Sequence, residues 1–263
     1  MGQGAAAVPF RGRVLTAGQA GADVLAVQRR LNQLGCGPIA EDGAFGPETL
    51  DAVELFQSRF ADHFSAPLRV DGRVGPLTWA ALFNAPSLPH VTVPPTPLLA
   101  GALRVAAGEI GVMESPLGSN RGPKVDEYLC CVGLDPTQGH FSWCAAFVYW
   151  CFDQAATAIA VANPAIRTAG VLDHWNRAGA QGIRRISSAE CADQPDLVQP
   201  GMIFVLSTGG GNGHTGLVEE LQGIYLTTIE GNTNDNGTRE GIGVFRRTGR
   251  KISHINRGFI VYQ

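Results

Sequence analysis

Charge is scarce in this chain. Lysine and arginine number 20 and aspartate and glutamate 23 among 263 residues, 16% in all, against ~25% in an average soluble domain. The net charge of −3 excludes nucleic-acid binding through bulk positive charge. No long apolar run is present either. The charge-free stretch from Pro136 to Phe152 is interrupted by Pro, Gln, Gly and His. It falls short of the ~20 apolar residues that span a bilayer, so no membrane insertion is expected. Residues 1–13 hold no basic residue ahead of the short Ala5-Ala6-Ala7-Val8 run and do not read as a secretory signal. No Cys-x-x-Cys, His-x-His or His-Glu-x-x-His pattern occurs, which removes zinc sites of ordinary spacing. Asp235 and Glu240 lack the alternating Asp/Asn ligands of a calcium loop. Neither a metal nor another cofactor is expected.

Six cysteines are present: Cys36, Cys130, Cys131, Cys144, Cys151 and Cys191. If one is a free nucleophile, five remain, and an odd number cannot pair completely. Most of them read as small buried hydrophobes.

Proline is abundant in one place. Residues 84–97 carry five prolines in fourteen positions, a density that no helix interior or central strand tolerates. The segment reads as a semi-rigid spacer. The expected organisation is a tail over 1–14, a first domain over 15–84, a linker over 85–97 and a second domain over 98–263.

The first domain contains a repeat. Asp42-Gly43-Ala44-Phe45-Gly46-Pro47-Glu48-Thr49 returns as Asp71-Gly72-Arg73-Val74-Gly75-Pro76-Leu77-Thr78, 29 residues later. In each copy Asp-Gly makes a tight turn and Pro opens a helix. Apolar residues at helical spacing follow: Leu50, Val53 and Phe56, then Trp79, Leu82 and Phe83. An earlier helix carries Val24, Val27, Leu31 and Leu34 and stops at Gly35. Three short helices form a small bundle. The repeated motif, with Val27-Gln28-x-x-Leu31 and Phe56-Gln57, resembles the helical peptidoglycan-binding module of wall hydrolases. That resemblance implies peptidoglycan as a partner. The motif residues themselves read as structural.

The second domain is built around a thiol. A helix is expected over residues 98–112 and another over 124–131. The run Phe141-Ser142-Trp143-Cys144-Ala145-Ala146-Phe147-Val148-Tyr149-Trp150-Cys151-Phe152 has no charge, so its helix is buried. Gly139 and Ser142 offer a turn and a cap, which puts Cys144 in the first helical turn. There, free N–H groups and the helix dipole favour thiolate over thiol and can receive an oxyanion. The rest of the chain reads as strands: 202–206, 214–221, 225–230, 242–246 and 258–262. Short connections make them antiparallel. Helices followed by strands give an α+β domain. His214 opens one strand. Glu230 and Asn232, two apart at the end of the next, share a face on which either can orient an imidazole.

Trp143-Cys144-Ala145-Ala146-Phe147-Val148, Gly213-His214-Thr215-Gly216-Leu217-Val218 and Ile229-Glu230-Gly231-Asn232-Thr233 occur in that order. Together they resemble the CHAP family of cysteine- and histidine-dependent amidohydrolases and peptidases, across about residues 98–263. The resemblance implies a papain-like fold. It also implies Cys144 as nucleophile, His214 as general base and acid, Glu230 as the residue orienting His214, and Asn232 as a supporting polar group. Gln138, six residues before Cys144, is a candidate oxyanion donor, because papain-like enzymes hold a glutamine at such spacing. The calcium-ligating acidic residues of some relatives have no clear counterpart here.

The resulting expectation is a monomeric peptidoglycan hydrolase. It cuts either the muramoyl–alanine amide or a bond within the peptide, and acts at the wall after lysis or specialised export. An exported toxin would have a neutralising partner protein. The alternatives are a binding protein without activity and a thiol amidase for a small soluble amide.

Overall fold

The computed structural model describes residues 10, 13–62, 67–84, 90–234 and 241–263. Two compact units divide it, Met1–Pro89 with Asp193–Pro195, and His90–Ala192 with Asp196–Gln263.

The first unit holds α1 (Ala22–Gln33), α2 (Pro47–Arg59) and α3 (Pro76–Phe83). Val24, Val27, Leu31, Val53, Phe56, Trp79 and Leu82 are buried together, as the helical spacing requires. The repeat has a hydrogen-bonded basis. Gln28, buried on α1, donates to Asp42 Oδ1 (2.8 Å), Ala44 O (2.9 Å) and Thr49 Oγ1 (3.1 Å), and accepts from Gly43 N (2.8 Å). Gln57 on α2 does the same 29 residues on. It donates to Asp71 Oδ1 (3.0 Å), Arg73 O (2.9 Å) and Thr78 Oγ1 (3.2 Å), and accepts from Gly72 N (2.9 Å). Gly43 and Gly72 take φ of +74° and +67°, which glycine adopts without strain. Each repeat is thus a helix whose glutamine staples the following turn to the start of the next helix.

Gln28→Ala strips several buried backbone and side-chain groups of their partner at once. It is expected to destabilise this unit by on the order of 2 kcal/mol. The exposed Gln33→Ala on the same helix should change stability by less than ~0.5 kcal/mol. Calorimetry of the full chain reads both as shifts of one unfolding transition.

The second unit runs β1 (His90–Val91), α4 (Pro97–Gly108), α5 (Pro123–Cys131), α6 (Cys144–Ala158), α7 (Val171–Ala180), β2 (Arg185–Ser187), a short α8 (Ser188–Asp193), β3 (Ile203–Gly209), β4 (Asn212–Gln222), β5 (Tyr225–Thr233), β6 (Gly243–Lys251) and β7 (Gly258–Ile260). The fold class is α+β. The sheet is antiparallel throughout, in the order β2-β7-β3-β4-β5-β6, with β1 on the far end of β4. The apolar helix α6 lies at the centre. It packs against α4 and α5 on one side and against β4 and β5 on the other.

Four details differ from the sequence reading. His90 and Val91, within the proline-rich segment, pair with Gln222 and Leu221 rather than forming a spacer. Their neighbours 85–89 lie outside the described residues. Residues 171–180 are helical, not part of a strand region. Val171, His174 and Ala178 are buried at i, i+3 and i+7, a helical period in which a buried histidine stands where an apolar residue is usual. Ser142 is exposed and does not cap α6; Trp143 occupies that position without a side-chain cap bond. Finally, β6 continues five residues past Arg246, because its polar side chains find partners on β4 and β5.

Candidate active site

Three elements of the second unit converge. Cys144 is the first residue of α6 and is 3% exposed. Among the described residues no hydrogen bond runs from the N–H groups of Cys144, Ala145 or Ala146; the first bond in the helix runs from Phe147 N to Trp143 O. These donors are the unpaired first turn that every helix leaves. His214 lies near the start of β4, opposite Leu206 of β3. Glu230 lies near the end of β5, beside Gly216 of β4.

The imidazole joins the other two. Its Nε2 meets Glu230 Oε2 at 2.7 Å, and the Cys144 side chain is near enough to raise the pKa of the ring. With Nε2 engaged by the carboxylate, Nδ1 is the nitrogen left for the thiol. Burial works against the imidazolium. The hydrogen bonds and charges of Cys144 and Glu230 outweigh it and lift His214 to about 9. Glu230 has 0% side-chain exposure. Burial alone would raise its pKa, but the contacts with His214, Arg250 and Thr228 bring it down to about 2.

Arg250 was not visible as a site residue in the sequence. From β6 its Nε donates to Glu230 Oε1 at 2.9 Å, and one terminal nitrogen donates to Oε1 and Oε2 at 2.7 and 2.8 Å. The same guanidinium sits 4.9 Å above the Phe204 ring, which is itself 5.9 Å from the His214 ring. Thr228, two residues before Glu230 on the same strand, donates its hydroxyl to Oε1 at 2.5 Å. Its period-two spacing was a signal the sequence did carry.

Asn232 is placed differently from expectation. The β5–β6 register shifts between Glu230 and Thr233, and Asn232 takes φ of +53°. This irregularity breaks the alternation that would keep residues 230 and 232 on one face. The Asn232 amide donates to Asn120 Oδ1 at 3.3 Å and is not bonded to His214. Asn120 N in turn donates to Glu114 Oε2 at 3.0 Å, and Glu114 Oε1 accepts from Trp143 Nε1 at 2.8 Å. Asn232 therefore belongs to a chain of contacts that ends at the residue preceding Cys144. Gln138 is exposed at the end of a single turn (Pro136–Gln138), and its amide donates to Thr137 Oγ1 at 3.2 Å. Asp235 and Glu240 lie outside the described residues.

All six cysteines are free. Burial, the main cause, raises Cys151 well above the ordinary thiol value, Cys191 to about 12 and Cys131 to about 11. Those three sulfurs are held as thiols. Cys144 is the cysteine that acts on His214.

Two known families match parts of the chain. Residues 20–82 match the model of a peptidoglycan binding domain, and residues 136–232 match that of the CHAP domain. The chain carries a peptidoglycan-binding domain followed by a CHAP domain. No curated protein and no solved structure matches the chain. The CHAP match contains Cys144, His214, Glu230, Asn232 and Gln138, and ends before Arg250. The peptidoglycan-binding domain makes peptidoglycan the partner, and the two domains together give the chain a role in binding or hydrolysing it at the cell wall. Among the described residues no helix is long and apolar enough to cross a membrane.

Proposed function

We propose that the chain is a cysteine-dependent peptidoglycan hydrolase, cutting an amide of the stem peptide, a cross-link or the sugar–peptide junction. The observation that supports this most directly is that Cys144, at the start of a buried helix, neighbours His214, which is itself hydrogen-bonded to the buried Glu230. In the proposed reaction the Cys144 sulfur attacks the amide carbonyl carbon and the C=O electrons move onto oxygen. The free N–H groups of the first turn of α6 receive that oxyanion. As the C–N bond breaks, the His214 imidazolium gives its proton to the leaving amine, and a thioester remains. His214, now neutral, takes a proton from water, whose oxygen displaces the sulfur. Gln138, engaged with Thr137, is not needed as a donor in this scheme. The peptidoglycan-binding domain holds the enzyme on its polymeric substrate and raises the local concentration of scissile bonds. Delivery as a lysin or as an exported antibacterial effector brings it to the same substrate.

Mass spectrometry of muropeptides released from purified walls tests the proposal. Free stem peptides with bare glycan identify an amidase; shortened or uncrosslinked muropeptides identify an endopeptidase. Unchanged walls would refute hydrolysis and leave a binding protein.

The pH dependence follows from His214. The leaving amine needs the imidazolium, and the neighbouring Glu230 and Cys144 keep that cation to about pH 9. Hydrolysis is expected to hold through neutral pH and to fall as pH rises through about 9. Initial rates of turbidity loss across the neutral-to-alkaline range read this limb directly.

A further inference from the structure

Glu230 has no solvent exposure, and burying a carboxylate is costly unless it is paired. Its cationic neighbours come from two strands, His214 on β4 and Arg250 on β6. The guanidinium reaches it through three short contacts and is seated on Phe204, which also flanks the imidazole. We propose that Arg250 is a positioning residue, whose guanidinium balances the Glu230 charge and aims Oε2 at His214, so that thiolate, imidazolium, carboxylate and guanidinium form a site of zero net charge. This rests on the reading of Cys144 and His214 as the reacting pair.

Geometry separates the two jobs of the carboxylate. Oε1 accepts from Thr228 and from both Arg250 nitrogens, while Oε2 accepts from His214 and from one of them. With Oε1 held from two sides, the carboxylate cannot rotate away from the imidazole. A bidentate fork of this kind is specific to arginine.

The charged and titratable groups around the carboxylate are few. β4 presents His214, α6 presents Cys144 behind it, and β6 presents Arg250. β3 contributes the Phe204 ring, and β5 contributes Thr228. Elsewhere on β6, Arg246 is paired with Glu219, and Arg247 donates to the Asn234 carbonyl.

Charge counting then gives opposite signs for two substitutions. Arg250→Met leaves thiolate, imidazolium and carboxylate, a net charge of minus one. Such a site gains protons more readily, so the thiolate–imidazolium pair forms and dissociates at higher pH. Both limbs of the activity profile should rise by about one pH unit. Glu230→Gln leaves a net charge of plus one, and both limbs should fall by about as much. The double variant restores neutrality and should lie close to the wild type, with a lower maximal rate. Arg250→Lys keeps the charge but loses the fork. Its profile should stay within about half a unit of wild type while the rate falls. A merely structural arginine would change yield or rate without this pattern of signs.

The experiment has two readouts on the full chain. One is the pH dependence of Cys144 alkylation by iodoacetamide, followed by mass mapping of the Cys144 peptide, which reads the thiolate without any substrate. The other is the pH dependence of wall hydrolysis. An upward alkylation midpoint in Arg250→Met and a downward one in Glu230→Gln support the role. A midpoint in Arg250→Met that stays put or moves down overturns it. If Arg250→Met does not fold, the double variant decides, because adding it to Glu230→Gln must move the midpoint back up. Displaced alkylation midpoints with walls left intact would refute the hydrolase and leave the role of Arg250 standing.

Discussion

Cys144→Ala is expected to reduce wall hydrolysis by a factor of ~10⁴ or more, to the background of the assay, while wall binding is retained. The size of the loss follows from the scheme: without the sulfur no thioester forms, and residues that act as a unit lose nearly all of their effect when one is removed. No other thiol is placed to substitute. Cys151 and Cys191 are buried as thiols, and Cys131 lies beside Asp153, with its own pKa raised to about 11. Binding should survive because residues 20–82 lie within a compact unit that has its own core and does not contain Cys144. The change removes one sulfur atom from a buried site and should cost about 1 kcal/mol of stability, too little to unfold the chain. Cosedimentation with walls and muropeptide release, measured on the same preparation, separate the two properties. Hydrolysis by the alanine variant would refute Cys144 as the nucleophile.

Gly231→Ala is expected to damage the fold and the site together. Gly231 sits between Glu230 and Asn232 on β5, directly beneath α6. A Cβ there would lie 2.7 Å from Phe147 Cγ and from Trp143 Cζ3, and 2.8 Å from Phe147 Cβ. These are atoms of packed aromatic residues in the first turn of α6 and at its cap. Overpacking of this kind costs roughly 1–3 kcal/mol. The strain falls on the end of α6 that carries Cys144. A displacement of ~1 Å there is expected to lower kcat/KM by ~100-fold. Gly108→Ala is the control: nothing lies within 4 Å of its Cβ, and it closes α4. It should be neutral or slightly stabilising. Thermal unfolding and wall-hydrolysis rates measured on both variants would show the contrast. Full activity in Gly231→Ala would mean that α6 tolerates the shift.

The two arguments draw on different kinds of information. Cys144 was legible because its surroundings are local: it lies within an uncharged twelve-residue run, Phe141 to Phe152, and helix starts are chemically distinctive. The repeat was legible for the same reason. Its turns, helix starts and apolar faces recur within each copy. The pairing of His214 with Glu230 was accessible from the order of two adjacent strands joined by a short turn.

What the sequence by itself determined is therefore the set of local devices: the stapled repeat, the buried helix with a cysteine at its head, and the strands that carry His214 and Glu230. Only the tertiary structure decided which of them meet and how. Arg250 reaches Glu230 from a different strand, at a position fixed by the β5–β6 register and its irregularities. Asn232 leaves the face of Glu230 because the same irregularity turns its backbone to positive φ. Gly231 matters only because Phe147 of α6 and Trp143 at its cap lie on it. Helix starts and tight turns follow from the residues nearest in the chain, whereas charge balance and close packing depend on distances between segments that no local pattern encodes.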